Sequence, residues 1–319
     1  MTSPRRKSRS LLILALAGCG SSGPPAGADA GAPDAEPMPV EDPAPVLSCG
    51  SLPPLPWAFH LQEGPPASED FTFDGDGYLL ALSKNNLVRV ARGGSPRLVA
   101  SAVALNGTGV RVLPGGDFVV ADEVRGSVQR IDASGGRRSV GTNIRGPNGL
   151  QLGPGGQLYV TDLGGGNLYR VDPDAGTTTL LTFVVDDADG LVFANDYQSL
   201  FVNSFGSGEI FRLPVMPDGT VGAPAKFVEG LGHPDGMTID ECGNLYVAGY
   251  SDGRLRRVAP DGKIELVADF GVNPVTAVSF GSGKQGWNDR TLYVMNYVSG
   301  GLFEVKVGVR GAAPPPRAP

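Results

Sequence analysis

The chain repeats itself, and the period of the repeat limits what it can become. Asn148-Gly-Leu-Gln-Leu-Gly-Pro-Gly-Gly-Gln-Leu-Tyr-Val-Thr-Asp162 aligns without a gap on Asp235-Gly-Met-Thr-Ile-Asp-Glu-Cys-Gly-Asn-Leu-Tyr-Val-Ala-Gly249. Each copy reads as a strand of alternating apolar residues, a Gly turn and a Leu-Tyr-Val strand. A third strand follows at Asn167 to Val171 or Arg254 to Val258, and a fourth at Thr177 to Val184 or Ile264 to Phe270. The same unit begins again at Glu69, Thr108, Asp189 and Thr276, and no helical periodicity interrupts it. Four antiparallel strands in roughly forty residues are the signature of propeller blades. The fold class expected is therefore all-β, a six-bladed β-propeller. One interval, from 189 to 235, is wider, and extra turn residues around Asn195 and Pro217-Asp218-Gly219 account for it. A solenoid of the same repeats is the alternative. It leaves sheet faces uncovered at both ends, whereas six blades close on themselves.

How the ring closes is read from a missing strand. Blade six has strands at Val275 to Phe280, Leu292 to Asn296 and Leu302 to Val307, and the chain then enters a Pro-rich stretch. Trp57-Ala-Phe-His-Leu61 stands alone before blade one, and it is expected to supply the fourth strand of blade six as an N-terminal latch. That places Cys49 on the side of the ring where Cys242 sits in its turn. A Cys49–Cys242 disulfide would staple the latch; two unpaired thiols are the alternative. His60 falls in the latch strand, to pack there or lie exposed.

Residues 1–18 read as a signal peptide: a basic start at Arg5, Arg6, Lys7 and Arg9, then the apolar run Leu11 to Ala17. That run falls well short of the roughly 20 residues a bilayer span needs. Leu16-Ala17-Gly18-Cys19 resembles the bacterial lipobox, which makes Cys19 a lipid-modified N-terminus. Residues 19–48 then form a Pro/Ala/Gly-rich linker without an aromatic residue, too poor in apolar groups to fold. Residues 49–307 are the propeller, and 308–319 are expected to be an unstructured tail. These features predict a cell-envelope protein, attached to the membrane only by its lipid, on the outer membrane of a Gram-negative bacterium. The formal charge is −7, and loss of the basic signal leaves the chain more acidic still, which argues against nucleic acid as a partner. A monomer is expected, since a closed ring has no free edge to pair.

Propeller geometry gives the repeat its chemical meaning. The innermost strand of each blade starts beside the central channel, so equivalent first positions converge. They are Glu69, Thr108, Asn148, Asp189, Asp235 and Thr276. Carboxylates packed this closely repel unless a cation neutralises them or some are protonated. An all-oxygen, anionic donor set suits Ca²⁺ or another hard divalent cation, whereas zinc would want His or Cys. Any one Asx-Gly pair is also an ordinary turn signal, and the shared register is what singles these out.

At these residues the chain resembles the family of senescence-marker-protein, gluconolactonase and luciferin-regenerating-enzyme-like propellers, and more distantly the paraoxonases and strictosidine-synthase-like proteins. Ser68-Glu69-Asp70 is similar to that family's first-blade metal glutamate, Pro147-Asn148-Gly149 to its asparagine, and Pro234-Asp235-Gly236-Met237 to its late aspartate. Val278-Ser-Phe-Gly281 and Thr291-Leu-Tyr-Val294 resemble its closing blade. Asp189 departs from the pattern, standing where the family usually carries a second asparagine. The resemblance implies a calcium-dependent hydrolase of lactones or related esters. In it Glu69, Asn148, Asp189 and Asp235 hold the metal, and Asp235 acts as base or nucleophile. Asn148, Thr108 and His233 contact a small-molecule lactone or ester. No Ser nucleophile motif competes, because Gly206-Ser207-Gly208 and Gly281-Ser282-Gly283 read as turns. The alternative is a non-catalytic propeller that binds a ligand or a protein, with the metal in a structural role.

Overall fold

In the computed structural model, which describes residues 44–313, six four-stranded antiparallel sheets follow one another along the chain. Strand β1 (Phe59–Gln62) comes first. Blade one is then β2 (Phe71–Phe73), β3 (Leu79–Ser83), β4 (Asn86–Val90) and β5 (Arg97–Ala100). Blade two is β6 (Gly107–Val112), β7 (Phe118–Asp122), β8 (Ser127–Ile131) and β9 (Arg137–Thr142). Blade three is β10 (Pro147–Leu152), β11 (Leu158–Asp162), β12 (Asn167–Asp172) and β13 (Thr177–Phe183). Blade four is β14 (Ala188–Phe193), β15 (Ser199–Ser204), β16 (Ile210–Pro214) and β17 (Ala225–Val228). Blade five is β18 (Pro234–Ile239), β19 (Leu245–Gly249), β20 (Arg254–Val258) and β21 (Ile264–Asp269). Blade six is β22 (Val275–Phe280), β23 (Thr291–Asn296) and β24 (Leu302–Lys306), completed on its outer edge by β1. The first strands of successive blades touch in a closed ring, β2 against β6 and so on to β22 against β2. The molecule is a six-bladed β-propeller.

The repeated Leu-Tyr-Val strand now has a physical cause. Tyr159, Tyr246 and Tyr293 are fully buried wedges that point out of one blade into the next. Each meets a Phe on the neighbouring innermost strand edge to face: Tyr159 with Phe193 at 5.0 Å, Tyr246 with Phe280 at 5.8 Å and Tyr293 with Phe73 at 6.2 Å. Each hydroxyl also has a partner in the turns, so none of the three is buried unpaired: Tyr159 donates to the Gly219 carbonyl and Tyr246 to Asp240, while Tyr293 accepts from the Asn288 amide. The apolar core is accordingly distributed between blades. One cluster joins Val192, Phe201 and Ile210 of blade four to Met237, Ile239 and Val247 of blade five. Burying each such side chain is worth about 1.5–3 kcal/mol.

The latch forms as the missing strand required. Phe59 to Gln62 pairs antiparallel with Leu302 to Val305. Trp57, just before it, is buried against blade five, where its backbone amide donates to the Val267 carbonyl at 2.8 Å. The Cys49–Cys242 disulfide is present, with Cα atoms 5.5 Å apart. His60 lies 2.8 Å from Glu304, a buried carboxylate on β24 that Arg92 of blade one also grips through Nε and Nη2 at 2.9 and 3.0 Å. One acid thus joins the latch, the last blade and the first.

Two boundaries differ from expectation. Residues 308–313, assigned to the tail, are docked: Val309 is fully buried, Gly311 bridges to Asp240, and the Ala312 amide donates to the Ile239 carbonyl at 3.0 Å. Val309 packs in the seam between blades five and six and Ala312 against the cluster between blades four and five, contacts that a Pro/Gly-rich reading overlooks. At the other end, Ala44 is buried and Leu47 donates to the Gly308 carbonyl, so the last linker residues pack on the same seam. The wide fourth interval lies in the hairpin 215–224 between β16 and β17, which holds Pro217-Asp218-Gly219, while the turn at Asn195 is of ordinary length. Residues 1–43, with the signal segment, Cys19 and most of the linker, and residues 314–319 lie outside the described residues.

Candidate functional site at the channel mouth

The six first positions are aimed by a shared irregularity. Strands β6, β10, β14, β18 and β22 each break register with their partner just after their first residue, at Gly107/Gly109, Pro147/Leu150, Ala188/Leu191, Pro234/Met237 and Val275/Val278. Such a bulge rotates the extra residue out of the ladder and re-aims its side chain. The residues so turned are Thr108, Asn148, Asp189, Asp235 and Thr276, all buried. Glu69 takes the equivalent place just before β2 and is half-buried.

The Gly that follows four of them is not a turn residue. A Cβ on Gly149 would collide with the Asp189 carbonyl oxygen, one on Gly190 with that of Asp235, and one on Gly236 with that of Thr276. Neighbouring innermost strands approach backbone to backbone near the axis, and only Gly permits it. Side chains then fasten the ring: Thr161 donates to the Asp189 carbonyl and Asn203 to that of Asp235. Thr108 donates to the Pro147 carbonyl at 2.7 Å and Thr276 to the Ser68 carbonyl at 3.1 Å. The Thr108 hydroxyl proton is therefore spent on the next blade, leaving only lone pairs for a ligand.

Electrostatics show which groups face one another. Burial raises the Glu69 carboxyl from 4.5 to about 7, with Asp70 and Glu123 adding repulsion and the Tyr297 hydroxyl, which donates to it, opposing. Burial lifts Asp189 well above the usual carboxylate range, and Glu69 and Asp70 lift it further. Asp235 is raised in the same way, by burial first and then by Asp189 and Glu69, against a single backbone hydrogen bond from Gly236. Glu69, Asp189 and Asp235 thus converge as the register predicts, with Asn148 at the matching start of β10. Asp70 has a different task. Its carboxylate accepts from the Val110 amide at 3.0 Å and pairs with Arg111 at 2.5 Å, tying blade one to blade two. His233 is exposed at the rim, its Nδ1 2.7 Å from the Ser251 hydroxyl and its ring 5.2 Å from Phe205. It contacts an aromatic neighbour, not the carboxylates.

The donor chemistry fits a hard divalent cation. Every converging group offers oxygen, and the repulsion that raises these carboxyls is what a cation would relieve. The Oδ1 of Asn203, next to Asp235, is also buried without a hydrogen-bond partner. Among the described residues no group of three or more His, Cys, Asp or Glu side chains is arranged to hold a metal ion, so the amide of Asn148 and further oxygens would have to contribute. Sequence reading missed Tyr297 and Glu123. Both immediately follow the second strand of their blades, a column that an alignment of the repeats displays.

Fold and site together define a six-bladed propeller with an acid-lined polar mouth at one end of its channel. Within that class, the family model of the SMP-30/gluconolactonase/LRE-like region matches residues 160–296, a segment that holds Asp189, Asp235 and Thr276. Among curated proteins, the 6-deoxy-6-sulfogluconolactonase of Pseudomonas putida is 28% identical over 145 residues, 40% of this chain and 48% of that protein. Pentonolactonase XacC of Haloferax volcanii is 30% identical over 110 residues, 33% of this chain and 38% of that protein. The chain therefore spans less than half the length of these relatives. Among solved structures, the calcium-binding protein regucalcin of Agrobacterium tumefaciens superposes with a TM-score of 0.67 at 19% identity, over 83% of this chain and 98% of that one. At that identity the likeness is one of fold.

Proposed function

We propose that the chain is a divalent-cation-dependent hydrolase of lactones or related esters. The observation that carries this reading is the convergence of Glu69, Asp189 and Asp235, buried and mutually repelling, beside Asn148 at one mouth. These four residues would hold Ca²⁺ or a similar ion, which when bound polarises a carbonyl and offsets the charge of the oxyanion. The chain's own groups do the rest. The Asn148 amide donates to the substrate carbonyl and fixes its approach. Asp235 takes a proton from water, or attacks the carbonyl itself. The acyl C–O bond breaks, water supplies hydroxide to the acyl carbon, and its proton ends on the released hydroxyl, giving a hydroxy acid. The lactonase names of the two curated relatives support this substrate class, and the fold shared with a calcium-binding propeller supports the ion.

The test is a calcium titration of the full chain that follows melting temperature and turnover of a lactone panel together. The expected result is stabilisation by calcium with calcium-dependent turnover, and an Asp235→Asn variant at least about a hundredfold slower. No response to any divalent cation overturns the site. A non-catalytic ligand-binding propeller is the second reading, favoured by the incomplete carboxylate cage. It predicts stabilisation without turnover.

The signal-like start and the lipobox-like Leu16–Cys19 support the reading that this activity belongs to the cell envelope, with the chain a lipid-anchored monomer held at the outer membrane through Cys19. Radiolabelled palmitate should mark the wild-type chain and not Cys19→Ser. A wild-type chain that takes up no label and fractionates as soluble contradicts the anchor.

A further inference from the structure

One backbone hydrogen bond recurs around the mouth. The residue after the second strand of a blade donates its amide to the carbonyl two positions before the channel residue of that blade. The five instances are Glu123 to Asn106, Leu163 to Gly146, Phe205 to Asp187, Tyr250 to His233 and Tyr297 to Pro274, at 2.9–3.1 Å. These five side chains therefore form a second ring just outside the first. Its two ends face the channel: Glu123 acts on Glu69 and Asp189, and Tyr297 hydrogen-bonds Glu69.

The second ring is lopsided. Over blades four to six it is an unbroken aromatic row, with Phe205 5.6 Å from Tyr250 and Tyr250 5.8 Å from Tyr297. His233 extends the row beyond Phe205, and Leu163 of blade three continues the apolar side. All these rim residues keep part of their surface open to solvent. The six channel positions and the five rim positions tied by this bond carry no Lys or Arg, the corresponding place in blade one being the exposed Lys84, and Glu69, Asp189, Asp235 and Glu123 make the mouth anionic. An anionic substrate meets like charge with no basic side chain at those positions to receive it. A polyhydroxylated one meets aromatic faces along half the rim, where the Tyr297 hydroxyl is already committed to Glu69 and the His233 ring to Ser251.

We propose that Phe205, Tyr250 and Tyr297 form a subsite for the apolar substituent of an uncharged lactone or ester whose carbonyl sits over the carboxylate ring. This rests on the hydrolase reading and adds the substrate class to it. The substituent lies across the row while the reacting carbonyl reaches Asn148 and Asp235, one blade-width inward.

The experiment compares kcat/KM of the full chain, with calcium, on γ-phenyl-γ-butyrolactone and on glucono-δ-lactone. A preference of at least about tenfold for the phenyl lactone is expected. Phe205→Ala and Tyr250→Ala should each cut that ratio about tenfold, while Tyr250→Phe, which keeps the ring, keeps the ratio. Preference for the polyhydroxylated lactone, or a ratio indifferent to both alanine variants, overturns the proposal. If no lactone is turned over, the hydrolase reading fails and the subsite is judged by calorimetry with the inert lactam 5-phenyl-2-pyrrolidinone. Binding that weakens about tenfold in the alanine variants sustains the subsite; no binding, or binding they leave unchanged, removes it.

Discussion

Strand β18 has a buried aspartate at each end, and the two live in opposite circumstances. Asp240, just past its C-terminal end, is gripped by donors: the Cys242 and Asn244 amides at 2.9 Å, the Asn244 side chain at 2.8 Å and the Tyr246 hydroxyl at 3.0 Å. Burial raises its carboxyl, and these donors pull back against the rise. Asp235, at the start of the same strand, faces Asp189 and Glu69 with one backbone donor to offset them. Both acids are desolvated to a similar degree, with 0% and 5% of their surface exposed, so burial does not separate them. Company does. An acid that serves the fold is surrounded by hydrogen-bond donors, whereas one kept for a ligand is left facing its own charge.

Substitution should make the contrast quantitative. Asp240→Ala strands four donors in a buried turn and should cost about 2–4 kcal/mol by chemical denaturation; a loss under 1 kcal/mol would make the network decorative. Without added cation, the wild-type chain should lose stability as pH rises. The unfolded Glu69 gives up its proton near 4.5 and the folded one near 7, so the stabilisation held below the first value is lost as pH rises to the second, a change of about 3 kcal/mol. Saturating calcium should flatten that slope, and a cation-free chain that grows more stable from pH 5 to 7 contradicts the assignment. Asp235→Asn should stabilise the cation-free protein by about 1–2 kcal/mol even as it ends turnover, since it removes a repelled charge. A melting temperature lowered by this change would mean that Asp235, like Asp240, serves the fold. The smallest effect belongs to Tyr246→Phe, which deletes one of Asp240's donors while keeping the wedge between blades, at about 1 kcal/mol.

The blade count, the starts of the repeats, the latch and the cysteine pair were legible because each is a statement about period and topology, which the spacing of strands encodes directly. The convergence of Glu69, Asp189 and Asp235 was legible for the same reason. What escaped was set at the scale of single residues. Asn148-Gly149 and Asp235-Gly236 read as turn pairs, yet their glycines are there because the next blade's carbonyl leaves no room for a Cβ, a contact between strands some forty residues apart. Thr108 looked free for a ligand, but its hydroxyl is taken by Pro147. Tyr297 became part of the site only through its hydrogen bond to Glu69, a contact between the last blade and the first. The strap at 308–313 was hidden because a stretch rich in Gly and Ala gives no periodic signal, and it is docked by buried Val309 together with backbone hydrogen bonds at Arg310 and Ala312.

The latch makes the ring a loop drawn by a line whose ends overlap. Blade six takes three strands from the end of the propeller and its outermost from the beginning, so the partner of Phe59 is made more than two hundred residues later. Five finished blades are therefore not most of a propeller. They leave Phe59 to Gln62 without a neighbour, Arg92 without its acid and one flank of blades one and five bare to any protease. The edges of the sheet are therefore covered all at once, when β24 arrives, and not blade by blade.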